Sequence, residues 1–297
     1  MVNLAKLFFS TTVLLFSFNA KSQTKKYNVV LNRIEAAALS NAANAQIFTL
    51  GVNDFGEPIK GLKIGNGPNK ALVVGTHHGN EYGSTEVAVG LAEALAKNPI
   101  KDLTVYVIPV LNITGYNIGN RYERNLSGTM IDPNRDYTGP CVKTRPFQLK
   151  STKALADFID QEKIVISATL HTFFPAVVYP WGISTRDLST PHDAEYIRLV
   201  KAATIESGYQ IGNNTEVLYP ADGTFEDYAY WKHGIWSLLF ELGFSHNPDK
   251  QAIINMVNSN TPGIRRFLEI ASRQRVTDFA FKGKCSNNKM LQRVFLE

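Results

Sequence analysis

Cysteine is almost missing from this chain: Cys141 and Cys285 are the only two among 297 residues. Neither has the spacing of a thiolate metal site or a dithiol redox motif, so both chemistries are excluded for them. What remains is one bridge tying the C-terminal tail to the body, or two unpaired thiols. Long apolar runs are missing too. The stretch LFFSTTVLLFSFNA at 7–20 falls short of the roughly 20 residues that a membrane-spanning helix needs. No block of Lys and Arg is interleaved with aromatics, which removes nucleic acid from the expected partners. Repeats, low-complexity linkers and breaks in charge are absent as well, so one domain is expected rather than several.

The short basic start MVNLAK, the apolar core and the small residues before KSQTKK together have the form of a secretory signal. Cleavage after Ala20 or after Ser22 both fit, and an uncleaved membrane anchor is the alternative. No cysteine stands near the signal to carry a lipid anchor. The expected division is a signal at 1–22 and one catalytic domain at 23–297, secreted or periplasmic, monomeric and free of the membrane after cleavage.

The remainder alternates between strand and helix patterns. Residues 31–46 are expected to be helical, 47–50 and 59–64 to be strands around a turn, and the apolar run at 71–74 to be a buried strand. A helix is expected from Ser84, as its N-cap, to Lys97. A buried strand at 103–110 precedes a long functional loop at 112–148. Beyond it come a helix at 151–161, strands at 164–170 and 176–179, helices at 191–207 and 224–233, a core strand at 236–241 and a helix at 249–272. This order predicts an α/β three-layer sandwich with a mixed, largely parallel central sheet flanked by helices.

Chemistry concentrates in THHGNEYGSTE at 76–86. A catalytic zinc site takes three protein ligands and leaves one position open. His78 and Glu81, three apart in a strand-end loop, can turn toward one ion. His171, closing the strand SATL-His, is the candidate third ligand, because ligands of α/β sheets collect at the C-terminal ends of strands. Each signal alone is weak: an HxxE pair arises often by chance, and a strand-end histidine is more often a satisfied core residue. Glu241 closes the apolar strand WSLLF, and a carboxylate there is costly unless it is paired or functional.

Seven motifs in order change the weight of these signals: HGNE, PVLNITGY (109–116), RYERN (121–125), DPNRDY (132–137), LHTFFPAVVYPWG (170–182), LYPADGTFEDYAY (218–230) and FELG (240–243). Together they resemble the zinc carboxypeptidases of the carboxypeptidase A/B type, over about 27–272. The resemblance implies one Zn2+ held by His78, Glu81 and His171, the two-His-one-Glu set for which carboxypeptidase A is the standard example. His77 and Glu86 fall outside the motif and are expected to be structural.

By the same resemblance Asp132 backs the first histidine, against the plainer reading of a turn former before Pro133. Glu241 is implied as general base and Arg124 as oxyanion stabiliser. Arg121 resembles a secondary substrate contact, although loop arginines are usually solvated. Asn134 and Arg135 match the pair that holds the substrate's free carboxylate, for which a planar guanidinium is suited. Tyr219, 22 residues before Glu241, matches the family's substrate-capping tyrosine in preference to Tyr230.

Glu226, seven residues after Tyr219, falls at the base of the family's side-chain pocket, and Gly182 matches its open wall. An acidic residue there implies a preference for C-terminal Lys or Arg. The competing reading has Glu226 capping the helix near Thr224 or pairing with Lys232. Asp136 departs from the family's neutral residue and is expected to weaken Arg135's grip on a carboxylate. The sequence leaves no room for the activation segment of digestive members, so an enzyme active on export is expected. The implied partner is a peptide with a free C-terminus. The rivals are a peptidase for diaminopimelate-containing cell-wall peptides, an N-acyl amino-acid deacylase of the aspartoacylase type, and an inactive binding module.

Overall fold

An apolar stripe of Tyr27, Val30, Ile34, Ala37 and Ala38 makes the first helix, α1 (Lys26–Ser40), begin earlier than 31 and end before 46. Ala45 pairs with Ile64 instead, so edge-strand pairing overrides the helical propensity of the alanines at 42–43. The computed structural model describes residues 26–286, and the expected signal at 1–22 lies outside the described residues.

After α1 come β1 (Ala45–Val52), β2 (Pro58–Ile64), β3 (Asn69–Gly75), α2 (Tyr82–Lys97) and β4 (Leu103–Ile108). The expected long loop holds α3 (Ile113–Ile118), a small hairpin of β5 (Glu123–Arg124) and β6 (Met130–Ile131), and a 3-10 turn at Pro133–Arg135. Next are α4 (Lys150–Gln161), β7 (Ile166–His171), β8 (Ala176–Tyr179) and α5 (Asp193–Ala203). The chain continues with β9 (Gln210–Asn213), α6 (Asn214–Val217), α7 (Phe225–His233), β10 (Trp236–Glu241) and α8 (Lys250–Ala271). Sequence patterning overlooked β9 and α6, each of which has four residues. Stretches that short carry no periodicity to read.

Eight strands form one mixed sheet in the order β1-β2-β4-β3-β7-β10-β8-β9. The central run β4-β3-β7-β10 is parallel, and antiparallel pairings flank it. Alternate residues of β3 enter opposite cores. Ala71 and Val73 pack with Leu91, Leu199 and Phe267 from α2, α5 and α8. Leu72 and Val74 pack with Ile34, Leu155 and Tyr228 from α1, α4 and α7. The period of two thus delivers the expected three layers. From β3 the chain runs outward to β4 on one side, while β7 lies on the other. A crevice opens where strand order reverses, beyond the carboxyl ends of β3 and β7.

Cys141 and Cys285 form a disulfide, with a Cα–Cα distance of 5.4 Å. Beside it the C-terminal tail pairs with the loop at 184–186: Ser286 N–H donates to Ser184 O at 2.6 Å, and Arg186 N–H to Lys284 O at 3.4 Å.

An acidic corner caps α4, whose N-cap residue Leu149 has no side chain to offer. Asp136 accepts from Gln148 N (2.8 Å), Leu149 N (3.0 Å) and the Thr152 hydroxyl (2.5 Å), and Asp54 accepts from Lys150 N at 3.0 Å. These carboxylates meet donors that a helix start leaves unpaired. Glu123 is fully buried there; Ser151 donates to its Oε2 at 2.6 Å and Oε1 has no partner. Burial above all, with Asp54, Asp136 and Glu57 adding to it against the Ser151 bond, pushes its pKa from 4.5 to about 8. Folded Glu123 therefore keeps its proton from about pH 5 to pH 8 while the unfolded chain releases it, so stability falls as pH rises through this window. Glu123→Gln is expected to remove that slope. In urea melts its advantage over the wild type should grow by a few kcal/mol between pH 5 and pH 8. Parallel pH profiles for the two proteins would refute the assignment.

Candidate active site

The end of β3 runs into Thr76, whose backbone N–H is held by Ser84 Oγ at 3.1 Å and whose hydroxyl donates to Pro109 O at 3.0 Å. Ser84 lies inside α2 and is not its cap, contrary to expectation; the cap position is Glu81, which makes no capping hydrogen bond. Its carboxylate is engaged elsewhere. Oε1 lies 2.7 Å from His78 Nδ1, and Oε2 lies 3.1 Å from both His171 Nδ1 and the Thr172 backbone N–H.

The Nδ1 atoms of His78 and His171 are 3.2 Å apart. His78, Glu81 and His171 are all buried, and each offers one ligand atom within 4.8 Å of the others. A tetrahedral zinc with ligand distances of about 2.0–2.2 Å spaces its ligand atoms roughly 3.3 Å apart. The residues therefore fit zinc in type, number and spacing. Asp132 Oδ1 takes His78 Nε2 at 3.0 Å, which leaves Nδ1 turned to the cluster.

The charges reinforce one another. Burial alone would lower the His78 pKa, but Glu81 and Asp132 outweigh it and hold it above the usual value. Burial would raise Glu81, yet His78 and His171 pull it below the carboxylate range. Asp132 likewise stands well below its usual value, because His78 and the arginines at 135 and 121 outweigh burial.

Glu241 ends β10 in register with His171 at the end of parallel β7. Its Oε2 is buried and without a hydrogen-bond partner. Burial first, and then the charge of Glu81, raises its pKa well above 4.5. Two neighbouring carboxylates are thus driven apart: Glu81 stays ionised and Glu241 has a high proton affinity.

The two arginines of this segment face different surroundings. Arg124 is exposed, with its guanidinium beside Gly128 on the hairpin turn. Arg121 reaches the cluster: Nη1 lies 3.2 Å from His78 Nδ1 and 3.9 Å from Glu81 Oε1, while Nε and Nη2 donate to Asp132 Oδ2 at 3.0 and 2.8 Å. Strand alternation is the cause, since Glu123 turns inward and so directs Arg124 outward.

Arg135 donates to Asn134 O at 2.6 Å and to the Tyr219 hydroxyl at 3.3 Å. Tyr230 is buried and bonded to His192 Nδ1 at 2.7 Å, whereas the Tyr219 hydroxyl meets Arg135. Asp136, expected to weaken Arg135, instead directs its carboxylate to the start of α4. Asn134 is buried; Oδ1 accepts from Phe225 N at 2.9 Å, and Nδ2 lies 3.5 Å from both His171 Nε2 and Glu226 Oε2.

Glu226 is buried and does not cap α7, a task that Thr224 performs by accepting from Asp227 N at 3.4 Å. The Thr169 hydroxyl donates to Glu226 Oε1. Lys232 is not among its partners, and no cation pairs with Glu226 among the described residues. Gly182 is less open than expected, for a Cβ there would stand 2.0 Å from Asn214 Nδ2. Its N–H donates to both Asp227 oxygens at 3.0 Å.

His77 is buried, bonds Tyr137 Oη at 3.0 Å and stacks on His171 at 5.6 Å. Glu86 pairs with Arg33 at 2.6 Å. Both side chains are engaged in contacts outside the His78–Glu81–His171 cluster's ligand atoms. Sequence reasoning missed Thr169, Asn214 and His246, because contacts across 57, 32 and 74 residues leave no local spacing to read.

The sequence model of a family described as zinc carboxypeptidase matches residues 30–263. Among curated proteins, carboxypeptidase B of Rattus norvegicus is 31% identical over 179 residues, 49% of this chain and 42% of the relative. Carboxypeptidase B of Astacus astacus is 24% identical over 252 residues, 70% of this chain and 82% of the relative. The match thus spans less than half the length of the rat relative. The structure of bovine thrombin-activatable fibrinolysis inhibitor in complex with tick carboxypeptidase inhibitor aligns at a TM-score of 0.75 and 19% identity, covering 83% of this chain and 96% of that one. Carboxypeptidase A from Helicoverpa armigera aligns at 0.72 and 17%, covering 83% and 73%. At such identities these likenesses establish the fold.

Proposed function

The chain belongs to the zinc carboxypeptidase family, and on that premise we propose that it is a secreted or periplasmic, single-domain peptidase. It follows a signal at 1–22, acts as a monomer free of membrane and nucleic acid, and removes C-terminal residues from peptides with one zinc ion. The observation that carries this reading is Glu241, half-buried with its unpartnered Oε2 shielded from solvent, in register with His171 of the buried His78–Glu81–His171 trio.

Zinc bound by the trio supplies Lewis acidity, which polarises a carbonyl and brings the pKa of water to about 7. Glu241, whose Oε2 is not engaged by any other group, takes the proton from the attacking water and passes it to the leaving amine. Arg121, beside the ligand atoms, donates to the developing oxyanion, the role that sequence likeness implied for Arg124. Asn134 and Arg135 hold the terminal carboxylate, and Tyr219 closes over it from its contact with Arg135. Asp132 fixes His78.

Glu226 supports a preference for Lys or Arg at the C-terminus. Among the described residues its carboxylate meets only the Thr169 hydroxyl and the Asn134 amide, which leaves it to be paired by a cationic side chain of the substrate. Hydrolysis of acylated dipeptides ending in Arg and in Phe tests this. Arg is expected to be preferred at least about 10-fold, and Glu226→Gln to lower kcat/KM on the Arg substrate by about 30-fold or more. Equal or faster cleavage of the Phe substrate by the wild type would sink the preference. An amine-bearing diaminopimelate terminus satisfies the same carboxylate and forms a third arm of the assay.

A further inference from the structure

We infer that His246 is a positioning residue for the metal centre, holding the loop after Glu241 against both loops that supply ligands. The inference rests on the metal-site reading above and extends it to a residue outside the seven motifs.

The need for such a clamp starts at Glu81. A residue at a helix N-cap ordinarily turns its side chain back to accept the first free N–H groups of the helix. Glu81 occupies that position in α2 and cannot do so, because both carboxylate oxygens face His78, His171 and Thr172. Another acceptor must satisfy the start of α2. The carbonyl of His246 does: Tyr82 N–H donates to it at 3.0 Å. With Ser84 N–H taken by the Glu81 backbone carbonyl at 3.1 Å, two N–H groups at the start of α2 are satisfied without the Glu81 carboxylate.

The side chain of His246 anchors the carbonyl that performs this task. Its Nδ1 lies 3.3 Å from the Thr172 hydroxyl, one residue beyond His171. Its ring meets Phe173 edge to face at 4.8 Å. At the other end of the same loop, Leu242 N–H donates to His171 O at 2.8 Å. His246 thus touches the chain neighbours of two candidate ligands from the segment that carries Glu241. The side chain makes the contacts to Thr172 and Phe173, and the carbonyl makes the contact to Tyr82. Phe244 is 80% exposed, and Ser245 accepts only from Asn247 N, at 3.1 Å.

The test compares wild type, His246→Ala, His246→Gln and Phe244→Ala after zinc loading, by the rate at which each yields zinc to excess chelator. A second readout is the visible spectrum of the cobalt(II)-substituted proteins. His246→Ala is expected to release zinc about 10-fold faster or more and to shift the cobalt bands. His246→Gln, whose amide can still bond the Thr172 hydroxyl, should recover most of the retention, and Phe244→Ala should match the wild type. If His246→Ala fails to fold, His246→Phe, which keeps a ring against Phe173 but cannot bond the Thr172 hydroxyl, takes its place and carries the same expectations. Release rates and spectra equal to wild type in both His246 variants would overturn the inference alone. So would a lower melting temperature of metal-free His246→Ala with an unchanged release rate, which marks a merely structural residue. A wild type that takes up no zinc would overturn this inference and the peptidase reading together.

Discussion

Glu241→Gln is expected to lower kcat for release of a C-terminal residue by about three orders of magnitude, with KM nearly unchanged and zinc still bound. The substitution keeps volume and shape at the end of β10, whose other five residues are fully buried, so the sheet and the neighbouring His171 should stay in place. What it removes is proton affinity. In the wild type the Glu241 Oε2 is not engaged by any other group and can accept a proton. An amide can neither accept the proton from water nor return it to the leaving amine. Steady-state hydrolysis with metal analysis of the same preparations checks this; activity within about 10-fold of wild type would remove Glu241 from the base role.

The second large effect is expected at Arg135. Arg135→Gln should reduce kcat/KM by about 10²–10³, mostly through KM, because a bidentate grip on a carboxylate is lost. The effect should be confined to substrates with a free C-terminus. The wild type is expected to discriminate strongly against the matching C-terminal amide, and the variant should lose most of that discrimination. Asp136 does not shield the arginine, since its oxygens accept from Gln148, Leu149 and Thr152. A variant that still prefers the free acid as strongly as the wild type would place carboxylate recognition elsewhere.

The core strands were legible because β3, β4, β7 and β10 are buried on both faces and appear as nearly unbroken apolar runs. The same pattern made His171 and Glu241 conspicuous as polar residues that close such runs. Neighbouring register then brings the two together, which periodicity alone does not show.

Sequence likeness assigned the oxyanion role to Arg124 and a secondary contact to Arg121, but three loop positions carry no orientation until the β5–β6 hairpin turns Glu123 inside. Ser84 looked like a cap because the sequence does not reveal that α2 starts on a carboxylate already engaged by His78 and His171. The bond of Asp136 to Thr152 of α4 was hidden by a sequence separation of 16, and the bond of His246 to Thr172 by one of 74. Helix and strand identity is written in local pattern; the partners of polar atoms depend on tertiary contact.

The most direct test of the central claim follows zinc-loaded wild type acting on one peptide in two forms, with a free and an amidated C-terminus, by mass spectrometry over time. The account predicts stepwise loss of single residues from the free C-terminus alone, abolished by chelation and restored by zinc. Internal cleavage, equal processing of the amide, or release that persists without metal would contradict it.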